Sequence, residues 1–403
     1  MSGVSTRTAL VSMALAGALA SAACSADRES RPGPASPAPP PARAASSGSQ
    51  SPAGVVAPRV DQRRYPFTIV EVGRVAVARV ANPGTTGPPP RIPWREPTRS
   101  SSIVHIGRAT VRIPAWGYVA GTLGRRVVLA GDCRSACRTR PGGDLHLIGP
   151  GGRLETIDPM TGRHRVGTTV TSPDGRAVAW QSEAPEGFRY FRYSLGDAAP
   201  AELDVLATAS GPAWFVRGFV RPHDILVRRG HGGPHARTSG EPATWNVRSL
   251  SVAQPGILLG EPAFTPPHDR CLSRFAPEER RPLWTRCYRW GNRAVDGFSS
   301  QSLAPGGQMM LADVGQDLVI IDARSGQPVQ RLRFDDRLQS YAFEDQHHFL
   351  AVLTDETAAL SDAWPEQWII RCSLDLRCER ATPQVRPEVY DMIGLMPPGT
   401  EAP

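Results

Sequence analysis

The feature that most constrains this chain is a short turn-and-strand unit that recurs along it. In its clearest copy, Val170-Thr171 enters as a strand, Ser172-Pro173-Asp174-Gly175 reverses the chain, and Arg176-Ala177-Val178-Ala179-Trp180 leaves it. Pro presets φ for the turn, and Gly takes the positive φ that other residues resist. Degraded copies are Leu303-Ala304-Pro305-Gly306-Gly307, Arg221-Pro222-His223-Asp224, Pro266-Pro267-His268-Asp269, Leu123-Gly124-Arg125 and Phe343-Glu344-Asp345-Gln346. Each precedes a run of apolar residues. With turn centres near 124, 174, 223, 268, 306 and 345, the steps are 50, 49, 45, 38 and 39 residues.

Repeats of that length, built of short strands, have the size of four-stranded β-propeller blades. The second half of the unit recurs too. Gly142-Gly143-Asp144-Leu145-His146-Leu147-Ile148 matches Gly315-Gln316-Asp317-Leu318-Val319-Ile320-Ile321, each read as a third strand. Turns and fourth strands follow, Arg153 to Ile157 and Val329 to Phe334. Further third strands are read at Phe188 to Leu195, Thr244 to Val252, Leu283 to Trp290 and Gln367 to Cys372. The fold class is therefore all-β, a propeller with six blades readable and a seventh available from the flanks. The flanks hold a hairpin about Gly73 (Phe67 to Val80), a strand region at Ile103 to Ile113, and a possible strand within Val385 to Leu395.

Seven Cys fall at 24, 133, 137, 271, 287, 372 and 378. Setting Cys24 aside leaves three sequence-local pairs: Cys133/Cys137, Cys271/Cys287 and Cys372/Cys378. In the blade frame Cys271 sits on a second strand and Cys287 on a third, while Cys372 ends a third strand and Cys378 begins a fourth. Each pair is in reach of a disulfide. The spacings do not repeat as zinc ligands do, so no metal is expected.

The first sixty residues read as an address and a tether. Arg7 precedes an apolar run from Ala9 to Ala20, too short to span a bilayer. Ser21-Ala22-Ala23-Cys24 then fits lipidation at Cys24, and Ala20-Ser21-Ala22 fits ordinary signal cleavage. Residues 31–58 carry eight Pro among Ala, Ser and Gly, a composition that cannot bury a core. The expected organisation is a signal peptide at 1–23, a tether at 24–61, a β segment at 62–114 with a Pro-rich loop, propeller repeats at 115–382 and a C-terminal segment at 383–403. The expected place is the outer face of the cell membrane, held by a lipid on Cys24, with free secretion as the alternative.

The Ser172-Pro173-Asp174-Gly175 and Asp322-Ala323-Arg324-Ser325-Gly326 turns resemble those of exported TolB-like and WD-repeat-like β-propellers. The layout of lipobox, tether and Cys-stapled repeats resembles lipoproteins of high-GC Gram-positive, actinobacterial type. The resemblance implies location and fold; it carries no active site.

Chemistry is sparse. There is no G-x-S-x-G elbow and no phosphate-binding loop opening a helix. All 46 basic residues are Arg, scattered rather than clustered, and the net charge is +8. That pattern marks genome composition and gives no nucleic-acid patch. His223 and His268 fall at equivalent turns of successive blades and would share a rim. Trp364, beside Pro365, is a candidate exposed contact. No cofactor is implied. Two functions remain: a binding or scaffold module for a protein, peptide or glycan, or a lyase or hydrolase with its site at the channel mouth.

Overall fold

The computed structural model describes residues 67–98, 101–113, 117–131, 144–158, 165–184, 187–203, 214–229, 235–237, 245, 247–254, 256–262, 270–289, 301–314, 317–355, 365–386 and 393–397. All lie in the compact unit Gln62–Pro403. Cys24, Cys133, Cys137, His268 and Trp364 lie outside the described residues.

The chain begins with β1 (Thr68–Glu71) and β2 (Val77–Val80), separated by a 3-10 turn at Val72–Arg74. Next come β3 (Trp94–Pro97), β4 (Ser102–Ile106) and β5 (Ala109–Ile113). Six antiparallel meanders follow. Blade 1 is β6 (Gly117–Leu123), β7 (Arg126–Gly131), β8 (Leu145–Ile148) and β9 (Leu154–Thr156). Blade 2 is β10 (Arg165–Thr171), β11 (Ala177–Ala184), β12 (Gly187–Ser194) and β13 (Ala201–Glu202). Blade 3 shows β14 (Trp214–Arg221), β15 (Asp224–Arg229) and β16 (His235–Arg237). Blade 4 is β17 (Val247–Gln254), β18 (Ile257–Pro262), β19 (Arg270–Phe275) and β20 (Trp284–Arg289). Blade 5 is β21 (Gln301–Leu303), β22 (Met309–Val314), β23 (Asp317–Asp322) and β24 (Gln327–Phe334). Blade 6 is β25 (Arg337–Phe343), β26 (His348–Thr354), β27 (Gln367–Ser373) and β28 (Cys378–Arg380). Last, β29 (Gly394–Leu395) joins β3, β4 and β5 in the order β29-β3-β4-β5, making blade 7 from both ends of the chain.

Strand sequences alternate or run fully apolar, because each blade is buried on both faces by its neighbours. Seven apolar clusters carry this packing among the described residues. Val178 and Trp180 meet Leu145 and Leu147 between blades 1 and 2. Val170 and Tyr190 meet Phe219 and Ile225 between blades 2 and 3. Val220 meets Leu258 and Phe275 between 3 and 4, and Leu272 and Tyr288 meet Met310 and Ile321 between 4 and 5. Leu318 and Leu332 meet Phe349 and Trp368 between 5 and 6. Ile369 and Val352 meet Trp94 and Ile393 between 6 and 7, and Val104 and Val111 meet Val127 and Leu129 between 7 and 1. Every sheet has a neighbour on both faces, which only a closed ring provides. The first strands of successive blades touch one another from β6 through β10, β14, β17, β21 and β25 to β29, so they line the axis.

The ring has seven blades, and the seventh comes from the flanks, where residues 94–113 join 394–395. Two expectations are corrected. The segment about Gly73 is not a hairpin: β1 pairs in parallel with β20 and β2 in parallel with β24. Finally, blade 4 is framed one strand later than read. Its first turn is at residues 255–256, so 247–254 is a first strand rather than a third, and Cys271 and Cys287 lie on the third and fourth strands. The Pro266-Pro267-His268-Asp269 run imitates the Pro-rich first turns but falls between the second and third strands.

Both described Cys pairs are disulfides. Cys271 and Cys287 are direct cross-strand partners on β19 and β20, with Cα atoms 3.9 Å apart. Cys372 and Cys378 are the same on β27 and β28, at 4.1 Å. In the chain-entropy account the longer loop stabilises by about 3 kcal/mol and the shorter by about 2.

The repeated turns show why their sequences recur. In the blade 2 turn, Ser172 Oγ donates to Asp174 Oδ1 at 2.5 Å and accepts from the backbone N–H of Arg176 and Ala177. Gly175 takes φ +65°. In the third-to-fourth turn of blade 5, Asp322 Oδ1 accepts from Arg324 N at 2.8 Å. These carboxylates complete their own turns.

Candidate functional site

Up-and-down meanders sort their connections onto two ends of the ring. First-to-second and third-to-fourth connections share one end; second-to-third and blade-to-blade connections share the other. The first end is built of tight turns such as 124–125, 172–176, 222–223, 255–256 and 344–347. The strand ends joined by the long connections 132–144, 203–213, 290–300 and 355–366 lie at the second end. Long connections on a rigid ring are where recognition concentrates.

Described polar side chains gather at this loop-bearing end. Between blades 1 and 2, Ser182 Oγ, fully buried, donates to Asp158 Oδ2 at 3.4 Å. Nearby, His146 Nδ1 lies 2.9 Å from Thr156 Oγ1. Burial lowers the His146 pKa, against the raising effect of Asp144 and Asp158, and favours the neutral ring. The serine therefore meets an acid while the imidazole meets a threonine. That arrangement orders a rim. Between blades 5 and 6, Tyr341 OH donates to Asp313 Oδ1 at 2.9 Å and accepts from Asp313 N at 2.8 Å. At the start of β23, Asp317 is buried against Arg331 and Arg333.

Inner strands carry a feature that alternation conceals. β6, β10, β14, β17 and β25 each carry a bulge, marked by Val119/Gly121, Val166/Thr169, Val216/Gly218, Val247/Ser249 and Leu338/Ser340. A bulge adds one residue against the partner strand, bends the strand and increases its twist. The signal available in sequence is an apolar residue followed two places later by Gly or Ser, as in Val119-Ala120-Gly121 and Leu338-Gln339-Ser340.

Of the sequence candidates His223, His268 and Trp364, only His223 lies among the described residues. His223 is exposed in the 222–223 turn, where it accepts from the Arg192 guanidinium. That is the tight-turn end. His268 lies outside the described residues, in the 263–269 connection between a second and a third strand. The equivalence of His223 and His268 came from the shifted blade 4 frame and is withdrawn. Asp345, at the blade 6 turn, accepts from the backbone N–H of His347 and His348 and pairs with the His348 ring at 3.0 Å. Burial raises the Asp345 pKa, but these bonds outweigh it and leave it lowered. Four Trp indoles, at 180, 245, 284 and 368, are buried in blade packing. Among the described residues no three His, Cys, Asp or Glu side chains assemble as a metal site, and no helix is long and apolar enough to cross a membrane.

Seven sheets ringed about an axis, with inner-strand bulges and unequal ends, define a seven-bladed β-propeller. No family model matches the chain, and no curated protein sequence matches it. Among solved structures it is similar to a prolyl endopeptidase at 12% identity and TM-score 0.48, over 75% of this chain and 50% of that one. It is similar to a Listeria monocytogenes protein at 8% and 0.44, over 82% and 91%. A chain of the mitotic checkpoint complex gives 10% and 0.40, over 67% and 80%. At such identities the likeness concerns fold alone.

Proposed function

We propose that the protein is an extracytoplasmic binding module, tethered to the outer face of the membrane through Cys24, that presents the loop-bearing end of its ring to a protein, peptide or glycan. One observation carries the binding reading: the connections between blade strands that exceed ten residues all join strand ends at one end of the ring. A ring that needs loops only for closure has no reason to lengthen them on one side. The export and anchoring part rests on the apolar run at Ala9 to Ala20, the small residues before Cys24, and the Pro-rich stretch beyond it. The polar pairs at Ser182/Asp158 and Tyr341/Asp313 hold the rim beneath those connections in a fixed shape, which limits the ordering cost on binding.

Charge reversals at the two ends test this. Glu183 and Arg337 are exposed at the loop-bearing end, and Arg125 and Arg176 at the tight-turn end. In capture from intact cells, Glu183→Arg with Arg337→Glu should lower recovery of the bound partner by roughly tenfold. Arg125→Glu with Arg176→Glu should leave it unchanged. In the same cells, Cys24→Ala should move the protein from the membrane fraction to the medium with capture intact. Equal loss from both ends, or an unmoved Cys24→Ala protein, contradicts the corresponding half of the proposal.

A further inference from the structure

Residues 68–91 run around the outside of the ring before the chain enters blade 7. β1 adds a parallel fifth strand to β20, the outermost of blade 4, from Thr68↔Arg286 to Glu71↔Arg289. β2 does the same to β24, the outermost of blade 5, from Val77↔Arg331 to Val80↔Phe334. Thr86 then bridges in parallel to Arg380 on β28, the outermost of blade 6. Gly87 N donates to Arg380 O, and Arg380 N to Thr85 O, both at 2.8 Å. Three consecutive outer edges are thus closed by one stretch of chain, which goes on to become β3.

We propose that this strap, more than the C-terminal strand, is the clasp that keeps the ring closed, and that Arg371 is its lock. The C-terminal strand contributes few hydrogen bonds: Gly394 and Leu395 pair with Arg95 and Trp94, and Ile393 N and Met396 N add one bond each, to Gln367 Oε1 and Pro93 O. The strap is held by far more. The Arg371 side chain is only 6% exposed and uses its fork in several directions at once. One terminal nitrogen donates to Pro88 O and to Glu379 Oε1, at 2.9 and 2.8 Å. The other donates to Pro89 O and to Glu344 Oε1, at 2.9 and 2.8 Å, while Nε donates to Glu344 Oε2 at 2.6 Å. Proline has no N–H, so the carbonyls of Pro88 and Pro89 are their only backbone handles, and a planar five-donor cation suits two in succession. Glu344, whose side chain is fully buried, also accepts from Arg91 N at 2.5 Å. Arg91 reaches Asp345 at 3.1 Å. A side chain at Gly87 would collide with the Glu379 carboxylate, so the strap lies flat on the lock.

Lysine keeps the charge of Arg371 but cannot span two carbonyls and a bidentate carboxylate. Amide exchange and thermal melting of the full chain, of Arg371→Lys, and of a chain ending at Arg386 separate the two clasps. Arg371→Lys should raise exchange at Gly87 and Arg380 at least tenfold and lower the melting temperature more than the truncation does. A ring that fails to assemble with Lys yet assembles without residues 387–403 supports the lock equally. Wild-type protection of Gly87 and Arg380 in Arg371→Lys would overturn it. So would a truncation that lowers the melting temperature further than Arg371→Lys, or failure of both variants to fold.

Discussion

Replacing Asp317 by Ala should lower the unfolding free energy by about 3–5 kcal/mol, seen as a shifted denaturant midpoint with an unchanged slope. Asp317 begins β23, and its side chain is fully buried. Its Oδ2 lies 3.2 Å from Arg331 Nε, and its Oδ1 accepts from Arg333 Nε at 2.7 Å. The two cations respond differently to loss of the carboxylate. Arg333 is 45% exposed and can turn to water. Arg331 is only 11% exposed, on β24 beside β2, and has less access to water. The cost is therefore mainly that of keeping the Arg331 charge buried without this carboxylate, more than the worth of the pair itself. Removing both charges together, as in Asp317→Leu with Arg331→Met, should recover much of the loss. A single Ala variant costing less than about 1 kcal/mol would show that Arg331 finds another acceptor.

Gly218→Ala should cost about 2–4 kcal/mol, the sum of backbone strain and overpacking. Gly218 sits just past the bulge on β14 with φ +154°. A Cβ there would sit 2.8 Å from Val252 Cβ and 2.9 Å from its Cγ2, on the first strand of the next blade. Val252 is itself buried in the packing between blades 3 and 4 and has nowhere to move. Adding Val252→Ala should relieve the overlap but not the φ strain, so recovery should be partial. Gly121 is the counterpart in blade 1, where a Cβ would lie 2.7 Å from Thr171 Cγ2 of blade 2. The two positions show how closely inner strands approach around the axis. Thermal melts of the single and double variants measure both components, and a neutral Gly218→Ala would mean the inner strands can spread.

What could be read from the sequence was local. Ser172-Pro173-Asp174-Gly175 announces a tight turn because turn chemistry sits in adjacent residues. The match of Gly142-Gly143-Asp144-Leu145 with Gly315-Gln316-Asp317-Leu318 located two third strands correctly. Cross-strand Cys pairs were legible because their partners are close in sequence. A seventh blade was legible only as strand material at both flanks, because β29 pairs with β3 across almost the whole chain. The strap's parallel pairings with β20, β24 and β28 were not legible, because they leave no periodic trace. The bulges were hidden because one extra residue breaks the alternation that identifies a strand. The blade 4 frame slipped for a third reason: Pro266-Pro267-His268-Asp269 has the composition of a first turn, while the real one spans only residues 255–256. From that slip came the equivalence of the His223 and His268 turns. At the rim, Asp313 with Tyr341 and Ser182 with Asp158 are contacts across blades or strands, so only the folded ring brings them together.

The proposal that the loop-bearing end meets the partner is tested most directly by site-specific photocrosslinking in intact cells. A photoreactive residue at Arg337 reports from that end, and one at Arg125 reports from the tight-turn end. Position 337 should give a discrete crosslinked species, and position 125 should give none. A discrete species from position 125 with none from 337 would contradict the account.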